Sequence, residues 1–169
     1  MADETESPYD EMKSLSRQRA DLIWETGESG EILEDEEARL VQAMRDHPEY
    51  ADLWGRLGEL SDEQIQRDGT NPILHITIHQ TIENQIAIGK PKETAQAVEV
   101  LMQQGLSRHE AIHRVGTVLA DEIFHILKDE RPFDEAGFVR KLGRLVKPAK
   151  PHPPKTSLPP RRRAKGRYR

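Results

Sequence analysis

Asn71-Pro72 and Gly89 bracket the stretch PILHITIHQTIENQIAI, and that punctuation admits one kind of structure. An Asn side chain accepts from the open N–H groups of a helix's first turn, and proline has no N–H to lose there. Glycine then ends the helix in a left-handed conformation. The same grammar recurs along the chain. Ser7-Pro8 followed by acids predicts a helix to about Glu25, before TGESG breaks it, and Glu34–Glu37 suit the first turn of a second helix ending near Asp46. Asp46 and Pro48 start a third segment in which Tyr50, Leu53, Trp54, Leu57 and Leu60 recur at helical spacing. Ser61 with Gln64 has capping-box spacing for one short turn. Further helices are predicted from Pro91 to Gln104, from Ser107 to about Lys128 and from Asp134 to Leu145. No stretch shows sustained period-two alternation between hairpin turns, so the expected fold is all-α, a compact bundle of about six or seven helices.

Charge divides the chain. Residues 147–169 hold nine Lys or Arg, no acid and six of the eleven prolines, whereas the formal net charge of the whole is −5. Residues 1–146 therefore carry about −14. The basic end lacks apolar content and backbone freedom, so it reads as a disordered tail, with 1–7 as a disordered N-terminus and 8–146 as the helical bundle. Such a tail suits nucleic acid or an acidic protein surface, with Tyr168 available to stack on a base; equally it is a solvated extension. No cysteine is present, which excludes disulfides, thiolate metal sites and cysteine nucleophiles. The acidic N-terminus has no signal-like apolar segment, and no apolar run approaches the roughly 20 residues of a membrane span. The expectation is a cytoplasmic protein outside the membrane.

Within the bundle, histidines are placed unusually. His75 and His79 are four apart, as are His109 and His113, and each pair shares a helix face with aliphatics: Ile78, Ile82 and Ile86 in one case, Ile112, Ile123 and Leu127 in the other. Side chains four apart lie one turn above each other, roughly 5–6 Å between Cβ atoms, so two imidazoles can converge on one ion. Two facing helices then offer four nitrogens, and Gly116 and Ala120 on the same face allow close approach. Glu83 and Glu110 lie near the edge of these stripes as auxiliary ligands or as a base. Asp121, Glu122 and His125 point away from the stripe. With nitrogen and oxygen donors alone, zinc or iron are the leading candidates for a bound metal. The plain structural reading is a hydrogen-bonded network of buried histidines that fixes helix packing.

HEAIH at 109–113 also matches the H-E-x-x-H pattern of zinc peptidases. Glu110 has an ordinary explanation as capping-box partner of Ser107, and no substrate-binding edge strand is apparent. Three blocks in order, HPEY at 47–50, NPILHITIHQTIENQIAIGKP at 71–91 and HEAIH at 109–113, resemble the bacterial domain-of-unknown-function family number 1841 over roughly residues 8–145. The resemblance implies a small, cytoplasmic helical protein and places that family's histidine pattern on His75, His79, His109 and His113. Ile73 stands where phenylalanine is common, Asp121 where glutamate is expected and Phe124 in place of tryptophan, and the basic tail is added. Two functions follow as expectations: a bundle binding a divalent metal through these four histidines, or a metal-free interaction module whose tail contacts nucleic acid.

Overall fold

A computed structural model describes residues 8–147, so the expectations for 1–7 and for the basic tail beyond Lys147 lie outside the described residues. The elements are α1 (Pro8–Ser29), α2 (Asp35–Arg45), 3-10 turns at Pro48–Tyr50 and Leu57–Glu59, α3 (Asp62–Ile65), α4 (Pro72–Ile88), α5 (Lys92–Gln103), α6 (Arg108–Asp129) and α7 (Glu135–Leu145). Among the described residues there is no strand, only an isolated bridge between Arg67 and Thr70. No helix among the described residues is long and apolar enough to cross a membrane.

The helix ends follow their local chemistry. Asn71 Oδ1 accepts from Leu74 N at 3.2 Å, and Gly89 closes α4 with φ +67°. Ser107 Oγ accepts from Glu110 N while Glu110 Oε2 accepts from Ser107 N, so the capping box opens α6. Asp134 caps α7 through Gly137 N.

Three expectations are corrected. First, α1 runs through Gly27 instead of stopping near Glu25, because Gly27 lies against α2, where a Cβ would meet Val41 Cγ1 at 2.9 Å; Gly30, at φ +81°, ends the helix. Second, residues 46–60 form no α-helix. Gly55 takes φ +78°, and the Asp21 carboxylate of α1 accepts from Leu57 N (2.9 Å) and Gly58 N (2.8 Å), pinning a 3-10 turn instead. The apolar spacing there survives as burial of Tyr50, Leu53, Trp54 and Leu57. Third, α6 is buried on a second side. Glu122, expected to point outward, is fully buried, while Leu127, expected inward, is 75 % exposed. Glu122 accepts from Arg131 (2.7 Å), from Asp134 N (3.0 Å) and from Lys141 of α7 (3.1 Å), so it joins α6 to the following loop and to α7.

Two apolar cores result. Met44, Leu53, Trp54, Leu57, Ile65 and Ile76 fill one, under α1 and α2. Ile82, Val98, Leu101, Val115, Phe138 and Leu142 are among those filling the other, among α4 to α7. α4 gives Ile76 to the first and Ile82 to the second. His79 lies between them in sequence and is itself buried.

Candidate metal centre

At this seam five imidazoles meet. His75 and His79 come from α4, His109 and His113 from the first two turns of α6, and His47 from the junction between α2 and the first 3-10 turn. Ring centroids of His47 stand 4.6, 4.5, 4.8 and 5.6 Å from those of His75, His79, His109 and His113. The two helical pairs also face each other, with His79 and His113 at 4.4 Å and His75 and His113 at 4.9 Å. The four histidines singled out by spacing are therefore brought together, and a fifth lies against all of them.

His47 reaches the cluster because Pro48 follows it. A residue before proline is pushed out of the α region, and His47 sits at φ −123°, ψ 69°, leaving the track of α2 just as that helix ends. Its side chain turns inward and is fully buried. Spacing could not reveal it, since it has no helical partner histidine; the His-Pro step after a helix end and the place of HPEY among the blocks that carry the family resemblance were the available signals.

Hydrogen bonding settles which nitrogen of His47 presents a lone pair. His47 Nδ1 donates to the Ala43 carbonyl at 2.6 Å, so in the neutral ring Nε2 carries the lone pair, 2.9 Å from His75 Nε2. His109 and His113 approach through their Nε2 atoms at 2.8 Å. His79 Nε2 is buried with no hydrogen-bond partner. Burial, more than any neighbouring ring, pushes the His75 pKa down to about 4 and that of His79 to about 2, and it lowers His113 too. These three rings are neutral near pH 7, the form in which imidazole binds metals.

The donor set could hold one ion. A ring nitrogen of each of His47, His79, His109 and His113 lies within 4.8 Å of the others. In a tetrahedral zinc site with bonds of about 2.0–2.1 Å the nitrogens stand about 3.3–3.4 Å apart, so the widest pairs would draw in by at most about 1.5 Å on binding. His47 also has the hydrogen bond behind it that orients metal-binding histidines. The two glutamates are engaged elsewhere. Glu83 accepts from Arg108 at 2.6 Å, and Glu110 accepts from Ser107 N at 2.8 Å as its capping-box partner. Asp121 binds Lys141, and His125 bonds Asp129 on the exposed side of α6.

One side of the cluster is open. A cleft of about 130 Å³ between α4 and α6 is lined by His75, His79 and His113 together with Ile78, Gly116, Thr117 and Ala120. Gly116 sets the helix separation, since a Cβ there would meet Ile78 Cγ2 at 3.0 Å.

Fold and cluster together define an all-α bundle with a histidine centre at the junction of two cores. The chain belongs to the family described as Domain of unknown function (DUF1841), which matches residues 13–144 and so spans every histidine of the cluster. No curated protein and no solved structure matches it.

Proposed function

We propose that the protein binds one divalent transition-metal ion through His47, His79, His109 and His113, with His75 as an adjoining fifth donor. The observation that carries this reading is the buried, unpartnered Nε2 of His79 within a cluster of five rings. Leaving such an atom unpaired costs roughly 1–3 kcal/mol, and an ion removes that cost while using the lone pair of His47 as well. An all-imidazole set suits zinc, iron, nickel or copper, with zinc and iron the leading candidates. In this reading Glu83 with Arg108 ties α4 to the first turn of α6 beside the histidines, and Glu110 serves the helix end.

The test is elemental analysis and metal titration of untagged protein. One equivalent of bound metal per chain is expected, with wild-type stoichiometry in His125→Ala. His47→Ala should weaken binding by more than the roughly 10–100-fold that follows loss of a group merely hydrogen-bonded to a ligand. A wild-type chain that carries no metal and takes up neither zinc nor ferrous iron would overturn the proposal in favour of a metal-free interaction module.

A further inference from the structure

We infer that the cleft between α4 and α6 admits a small monovalent anion, of a few heavy atoms, to the ion held by the histidines. The inference rests on the metal reading above and adds the chemical class of the second ligand. Three observations support it. His75, His79 and His113 form part of the cleft wall, so a molecule inside it lies against the donor set. The rest of the wall is Ile78, Gly116 and Ala120 with one hydroxyl, Thr117, and none of these residues carries a charge.

Third, histidines ligate as neutral groups, so they leave the charge of a divalent ion unbalanced. No carboxylate belongs to the mutually close donor set among the described residues. Glu83 and Glu110 are held by Arg108 and Ser107. The acid that acts on both His75 and His113 is Glu49, which is exposed on the first 3-10 turn and is not part of the cleft wall. In surroundings of low dielectric an unbalanced charge attracts an anion more strongly than it would in water.

Volume limits the size of that anion. With about 30 Å³ per water, the cleft holds on the order of four waters. Azide or thiocyanate fits, whereas a nucleotide or peptide side chain with its backbone does not. Gly116 keeps the wall low and Ala120 leaves the space beyond it open.

The experiment uses the full chain loaded with Co²⁺, whose visible absorption reports its ligands. Sodium azide is titrated into wild type and into Ala120→Leu, which fills the cleft without replacing a histidine. Thr117→Leu at the exposed rim serves as a second plug should Ala120→Leu fail to fold. The expected result is one bound cobalt in all chains, a saturable spectral change with azide in wild type, and at least a tenfold weaker azide response in the plugged variant. Cobalt uptake with no azide response, or an equal response in plugged and wild-type chains, overturns this inference and leaves the metal reading standing. Failure of wild type to take up cobalt, zinc or ferrous iron overturns both.

Discussion

His79 separates a metal ligand from a structural histidine at the scale of one residue. A hydrogen-bonded core histidine loses stability when replaced by an aliphatic group, but the Nε2 of His79 has no partner to lose. His79→Leu should leave the metal-free protein as stable as wild type, or raise its stability by about 1 kcal/mol, while abolishing metal binding; calorimetry with and without zinc reads both. Glu122 behaves oppositely. Its donors Arg131, Asp134 N and Lys141, with Arg131 foremost, hold its pKa down at about 2. A depressed carboxyl contributes stability that is complete above its unfolded pKa of 4.5 and is lost as pH falls toward 2. Glu122→Gln should therefore cost about 1.5–3 kcal/mol near neutral pH, and the gap from wild type should close between pH 4.5 and 2 in acid titrations followed by circular dichroism. The neutral histidines act in a higher window. With folded pKa values lowered from 6.5 to about 4 for His75 and about 2 for His79, they begin to destabilise the metal-free chain once pH drops below 6.5.

At the scale of the element, α6 carries two buried sides. His109, His113 and Gly116 meet α4, while Glu122, about 220° around from His109, meets the loop before α7 and α7 itself. One apolar stripe drawn through the histidines captures the first side and misplaces the second. The separation of α4 and α6 depends on Gly116, since Ile78 occupies the space a side chain would need. Gly116→Val should push the helices apart, cost about 1–3 kcal/mol by overpacking and weaken metal binding more than it weakens the fold, because both histidine pairs move with their helices. Asn71→Ala should cost about 1 kcal/mol by opening the first turn of α4, which carries His75. Thermal unfolding and zinc titration of each variant measure the two effects separately.

For the molecule as a whole, the position of the site between two cores matters most. α4 belongs to both, and His47 enters from the side of α2 and the 3-10 turns while His109 and His113 enter with α6. An ion held by all three elements ties the cores together. Metal at 1,000 times its dissociation constant should stabilise the chain by about 4 kcal/mol, and a chelator should lower a single cooperative transition instead of melting one half first. Two separate transitions on chelation, the first confined to residues up to about 70, would show that the cores depend on the ion for their union. Hydrogen exchange with and without zinc distinguishes these outcomes.

Most helix boundaries were legible residue by residue, because caps and stops act within a few positions of the chain: Asn71, Gly89, Ser107 with Glu110, and Asp134 each perform the role their chemistry predicts. The pairing of His75 with His79 and of His109 with His113 was legible for the same reason, since helical periodicity alone sets it. What local spacing could not decide is which helices are neighbours. That choice buries Glu122, lets α1 continue through Gly27 and replaces a helix at 46–60 with turns pinned by Asp21. It also brings His47, which follows no helical repeat, to the centre of the cluster. Local chemistry determined most helix ends and the two histidine pairs, and only tertiary packing, acting between residues distant in the chain, decided the turns at 46–60 and that five imidazoles meet.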